Sequence, residues 1–357
     1  LTYSEGCNDD VNKFVWSGLG WDPHADVTEI LRHYSRFFVG QAQTSDLARG
    51  LLGLEENWRG SLATNTGVDA TLQQFQAMER AAAPTTLKNW RFQMALYRAY
   101  YDAYVRARLL YESGLEAQAM DTLRQAQRLG ALPALALAEA TLDRAITAPV
   151  AQGWRTRIFQ LAEALFQSIH MQLSVPLYAG QHETRGANLD GVDCPLNDRP
   201  WLKAQFAQIR TLESEAARLA AIDQIVYWTD PGAGGYYVDL SNAYGCPYLV
   251  DRLPYADDPA FYRSPHRRFP YFKDKRPFRR AWRAFTGGLA DFPLRLHFPA
   301  LDPAAGDAAR FPPHGRPKGA TGGDGPWEAM TVAAYAPNCA QGFVYLRGEY
   351  PQAHHAL

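Results

Sequence analysis

The sequence predicts a mainly α fold: an irregular antiparallel helical bundle, with a partial barrel-edge stub at its N-terminal end and an incomplete β-rich module at its C-terminal end. Three observations carry this. Apolar residues recur at helical spacing from residue 26 to residue 228. Pro and Gly break that pattern every few helical turns. After Trp228 the helical period stops, and Tyr, Phe, Trp, Pro and Arg dominate.

The elements follow in order. Residues 1–25 read as a short strand-like stub, a polar cluster and an aromatic helix, which Asp22-Pro23 stops because proline restricts the residue before it. Asp26 then caps a second helix, with Glu29 as its capping-box partner. Its apolar face is Val27, Ile30, Leu31, Tyr34, Phe37 and Phe38, and Gly40 ends it. Amphipathic segments follow near 45–57 and 68–82. The segment 88–113 is the longest, with Asp102 and Arg106 at ion-pair spacing. Further helices are predicted near 115–129, 134–146, 152–173, 200–211 and 214–228. Short connections make a bundle, and no regular self-similarity supports a repeat array. The long loop 179–199 is expected to be functional or tightly packed.

The domain organisation is therefore 1–25 as the end of a barrel, 26–228 as the helical domain, 229–301 as the start of a β-rich module and 302–357 as a poorly ordered tail. Leu294–Phe298 alternates like a strand, and Met330–Tyr335 and Phe343–Leu346 are short strand candidates. Residues 302–326 are Ala-, Gly- and Pro-rich and only weakly apolar. Position 1 is not Met and no signal segment follows it, so the chain reads as a piece of a larger protein, truncated or out of frame near residue 306.

Composition narrows the function classes. A hydrophobic fraction of 47% and a charged fraction of 20% are those of a globular protein. The net charge of -1 gives no global field for nucleic acid or an anionic membrane. The pairs Arg267-Arg268 and Arg279-Arg280, beside Phe269, Tyr271, Phe272 and Trp282, read as internal cation–π packing rather than a single-strand binding surface. No apolar run approaches the roughly 20 residues that a membrane span needs. The four cysteines lack CxxC partners, which disfavours a zinc knuckle, and no metal or cofactor is expected. No phosphate-binding glycine loop and no Gly-x-Ser-x-Gly elbow occurs.

What remains is carboxylate chemistry. Glu5, Asp9 and Asp10 sit together where a barrel strand would end, and paired carboxylates perform acid–base or nucleophilic work on glycosidic bonds. Glu5 and Asp10 are the catalytic candidates. Asn8, Asp9, Asn12 and Trp16 are the substrate-binding candidates, although Asp9 or Asp10 could simply cap the helix, and Trp16 and Trp21 could simply pack.

The run Asn12-Lys13-Phe14-Val15-Trp16-Ser17-Gly18-Leu19-Gly20-Trp21-Asp22-Pro23, followed by Asp26–Leu31, resembles the segment after the last barrel strand in bacterial glycoside hydrolases of the α-glucuronidase-like and hexosaminidase-like kinds. Tyr3–Lys13, Asn89–Phe92, Tyr97–Asp102 and Arg185–Trp201 resemble a group of large bacterial proteins of the same layout. The resemblance covers about residues 1–300. It implies part of a carbohydrate-active protein acting on a polysaccharide or oligosaccharide, inactive alone because the second carboxylate and the rest of the barrel lie elsewhere. It also implies a periplasmic or secreted location. The alternative is a non-catalytic helical protein that binds glycans or other proteins.

Overall fold

The computed structural model describes residues 9–57, 60–181 and 187–230, and beyond them the segments 237–239, 246–249, 256–258, 266–268, 277, 279–280, 285–287, 295–297, 308–311, 328–331 and 343–345. The chain divides into two compact units. One comprises residues 1–219 with 272–277, the other 220–271 with 278–357. The boundary falls inside a helix, ahead of the break expected at 228.

The first unit is a helical bundle. It opens with α1 (Asp9–Trp21), α2 (Val27–Phe38), α3 (Thr44–Glu56) and α4 (Gly67–Ala81). The one-turn α5 (Pro84–Leu87) leads into α6 (Trp90–Arg124), a helix of 35 residues and about 50 Å. The short α7 (Ala126–Leu129) is followed by α8 (Ala131–Thr147), α9 (Gln152–Ile169), the one-turn α10 (Val175–Tyr178) and α11 (Arg199–Arg210). The helix α12 (Glu215–Val226) crosses the unit boundary.

α6 is the axis of the bundle. It packs against α4, α8 and α9, so it is apolar on several sides rather than along one stripe. Phe92, Leu96, Tyr97, Ala103, Tyr104, Leu115 and Leu123 are all essentially inaccessible. Burying each larger side chain contributes about 1.5–3 kcal/mol. Asn89 starts the helix: its backbone is extended, and its Oδ1 accepts from the N–H of Arg91 at 3.0 Å and of Phe92 at 3.4 Å.

Several expectations are corrected here. α6 runs through Gly114, where a break was expected. A helical glycine costs about 1 kcal/mol, and the buried Leu115, Ala119 and Leu123 beyond it offset that cost. Asp102 pairs with Arg98 at 2.7 Å, not with Arg106. Arg106 reaches instead to Asp69 of α4 at 2.7 Å and to the carbonyls of Leu62 and Ala63. Asp26 caps α2 through Thr28 N–H at 2.6 Å, but Glu29 pairs with Arg32 rather than closing a capping box. Phe37 is 80% exposed and packs edge-on against Phe38.

Among the described residues there is no barrel stub. The chain is helical from Asp9, and Asp10 lies in the first turn, where the helix dipole favours a carboxylate. The strand expected before them lies outside the described residues. No β module is seen among the described residues of the second unit either. β1 (His266–Arg268) pairs with β2 (Phe285–Gly287), β3 (Arg295–His297) with β6 (Phe343–Tyr345), and β4 (Ala308–Phe311) with β5 (Glu328–Thr331), each antiparallel. These are three separate two-stranded pairs, and such pairs bury little surface on their own. In the same unit Arg279 lies 5.4 Å over the Trp228 ring and Arg280 pairs with Asp239 at 3.3 Å. Among the described residues no helix is long and apolar enough to cross a membrane.

Candidate functional site

The site residues expected from sequence cluster on α1, and the helical period sorts them. Asp10, Phe14 and Gly18, four apart, face inward. Phe14 packs edge-on against Tyr34 at 5.5 Å and Phe38 at 5.8 Å. Gly18 lets α1 approach α2 closely, because a Cβ there would lie 2.8 Å from Ile30 Cδ1. Asn12 and Trp16, also four apart, lie on the exposed side. Asp9 is the first residue of α1. Glu5 and Asn8 lie outside the described residues.

Asp10 accepts three bonds. Its Oδ2 accepts from Tyr34 Oη at 2.7 Å and from Arg91 Nε at 2.6 Å, and its Oδ1 accepts from Arg91 Nη2 at 3.4 Å. The Arg91 guanidinium lies 4.0 Å from both the Phe38 and the Trp90 ring centroids. Asn89 adds a bond from Nδ2 to the Phe38 carbonyl at 2.7 Å. Burial pushes the Asp10 carboxyl up, but the bonds from Arg91 and Tyr34 outweigh it and hold the group below its ordinary value. Burial and the neighbouring carboxylate push the Tyr34 hydroxyl well above its usual range. At neutral pH Asp10 is therefore an ionised acceptor that ties α1 to α2 and α6.

The helices α1 and α2 also border a different feature, an open concavity of about 720 Å³. Trp16, Trp21, Phe14 and Ile30 supply its apolar surface, Gly18 and Gly20 its small residues, and Asp22, Asp26, Glu29 and His33 its polar groups. Asp10 does not line it. Trp16 is 59% exposed and Trp21 93% exposed, so neither is the packing residue that a core reading makes of it. Of the sequence candidates, the structure places Trp16 in the concavity and Asp10 in the clamp. Trp21, Asp22, Asp26 and His33 were not singled out as site residues. The signal was the Trp-x4-Trp spacing across two glycines, which leaves two indoles beside bare backbone.

A second constellation explains the long loop. Six polar residues of α6, spaced three or four apart, bind residues 187–198. Tyr97 donates to the Ala187 carbonyl, Tyr101 to that of Asn188 at 3.0 Å and Tyr104 to Asp193 Oδ1 at 2.8 Å. Arg108 donates to the carbonyls of Val192 at 2.6 Å and Cys194 at 2.8 Å. Glu112 accepts from Leu196 N–H and Glu116 from Asp198 N–H, each at 2.7 Å. Burial pushes Glu112 up, opposed by the Arg108 guanidinium beside it. Burial and the bond to Asp193 push Tyr104 up to about 12. The Asp193 carboxyl is also raised by burial, but Arg155 and Tyr104 hold it below its ordinary value. Every loop amide or carbonyl named here has a partner, so this loop is a packed element of the bundle.

Among the described residues no group of three His, Cys, Asp or Glu could hold a metal ion. Among the described residues Cys194 and Cys246 form no disulfide with each other. Compared with protein families, curated proteins and solved structures, the chain matches none.

Proposed function

We propose that this chain is the helical part of a carbohydrate-active protein of glycoside-hydrolase-like type, and that its own contribution is to hold a saccharide rather than to cleave one. The observation that carries this is the pair of exposed indoles, Trp16 and Trp21, on one concavity with Asp22 and Asp26. Indole faces stack on the apolar faces of sugar rings, and carboxylates accept from sugar hydroxyls. This combination of an apolar surface with a few convergent polar groups is the usual make-up of a small-ligand site. The resemblance of Asn12–Pro23 to carbohydrate enzymes points the same way.

Cleavage would need a second carboxylate at a defined distance from the first. Asp10, held by Arg91 and Tyr34, is a positioning residue in this reading, and Glu5 keeps its place as the carboxylate to test. The same reading carries a barrel edge ahead of Asp9 and a β-rich module from residue 229, in segments outside the described residues. Calorimetric titration with neutral β-linked oligosaccharides, with a reducing-sugar assay on the same samples, tests it. Binding without turnover is the expected result. Robust turnover by the isolated chain, or no binding to any saccharide, overturns it.

A further inference from the structure

We infer that the α1–α2 concavity selects saccharides carrying protonated amines, that is, glucosamine-type oligomers with free amino groups. This rests on the saccharide-holding reading above and names the ligand class for that same site.

The argument is charge complementarity on an aromatic surface. Asp22, Asp26 and Glu29 bring three carboxylates to the concavity, and among its described lining residues there is no Lys or Arg. Glu29 is neutralised by Arg32 at 2.5 Å. Among the described residues Asp22 and Asp26 have no such partner. Each directs Oδ1 to a local backbone amide: Asp22 accepts from His24 N–H at 3.0 Å, and Asp26 from Thr28 N–H at 2.6 Å. No described residue donates to Oδ2 of either one. Two carboxylate oxygens are thus left for a ligand, beside Trp16 and Trp21.

A neutral sugar hydroxyl donating to such an oxygen is assisted by the carboxylate's charge alone. An ammonium adds its own charge, and with it a direct attraction between opposite charges. It also gains from the indole faces, whose electron density attracts cations. A uronic acid would instead meet two like charges. The same surface that stacks any pyranose therefore discriminates by charge in the order amine, neutral, acid. Phosphate and nucleic acid are disfavoured for the same reason.

The experiment is a calorimetric or fluorescence titration of the full chain with four tetrasaccharides and one peptide. The saccharides are β-1,4-glucosamine, its N-acetylated form, cellotetraose and an oligogalacturonate; the peptide is tetralysine. The pH is slightly acidic, so that the amines are protonated. The expected result is that the glucosamine tetramer binds at least about tenfold tighter than its N-acetylated form at low salt. Asp22→Asn and Asp26→Asn should each erase that preference. Asn still caps α2, so the second variant keeps the helix start intact. Raised salt should narrow the preference, because exposed charges are screened. Equal binding of the amine, acetylated and neutral oligomers overturns this inference while leaving the saccharide reading in place. Binding of no saccharide overturns both. Tetralysine binding as tightly as the glucosamine tetramer, with the same dependence on Asp22, overturns the inference in favour of a basic peptide.

Discussion

Arg91 donates from Nε and Nη2 to the two carboxylate oxygens of Asp10, across 81 positions of sequence. The fork fixes the start of α6 against α1, and Tyr34 closes the group from α2. Both side chains of the pair are mostly shielded, at 19% and 31% exposure, so the interaction is stronger than a surface ion pair. Replacing Asp10 by Asn should lower unfolding stability by about 1–3 kcal/mol, since Arg91 keeps its stacked position with a weaker acceptor. Denaturant titration of Asp10→Asn, Arg91→Gln and the double variant reads the coupling directly. A double variant no worse than the worse single one is the expected pattern.

The loop 187–198 should detach in a graded way. Tyr101→Phe removes one bond to the Asn188 carbonyl and should cost about 0.5–1.5 kcal/mol. Arg108→Met leaves Glu112 buried beside a lost cation and should cost about 3–5 kcal/mol. Amide exchange at Leu196, whose N–H is held by Glu112, checks this. Protection there should fall much further in Arg108→Met than in Tyr101→Phe.

Acid should weaken the first unit through Asp193 in particular. Its folded carboxyl lies below its ordinary value, so the unfolded chain binds the proton more readily. The resulting stability is fully present above that ordinary value and is lost as pH falls through the folded one. Buried Glu112 and Asp102 are raised and act in the opposite sense, losing stability as pH rises through their folded values. The denaturant midpoint of Asp193→Asn should therefore fall less than that of the wild type between mildly acidic and strongly acidic pH.

The cap of α6 should be worth more than a surface cap. Asn89 satisfies two amides of α6 and also donates to the Phe38 carbonyl. Asn89→Ala should cost about 1–2 kcal/mol, at the upper end for an N-cap. Asn89→Asp keeps the acceptor and loses the donor, so it should fall between the two in thermal unfolding.

Much of the bundle was legible. Apolar spacing, the Asp26 cap and the breaks at Gly130 and Pro23 are local signals, and they delimit most helices to within a few residues, α6 excepted, which runs on through Gly114. The role of Asp10 was not legible, because its partner lies 81 residues away and nothing local marks it. The direction of α1 was equally hidden: Phe14, Val15, Trp16 and Trp21 spread apolar residues around the helix, so every face looks like core. The row Tyr97, Tyr101, Tyr104, Arg108, Glu112 and Glu116 is visible as spacing. Most of its partners, however, are backbone atoms of a loop, which carry no sequence signature.

The central claim is that the indoles of α1 face a saccharide. The most direct measurement is the NMR spectrum of the indole N–H groups during titration with a glucosamine tetramer. The nine Trp resonances can be assigned by single replacement. The account predicts saturable shifts confined to Trp16 and Trp21, absent in Trp21→Ala, while the buried Trp201 stays unmoved. Shifts spread over all indoles, or none at Trp16 and Trp21 with saccharide in large excess, would contradict it.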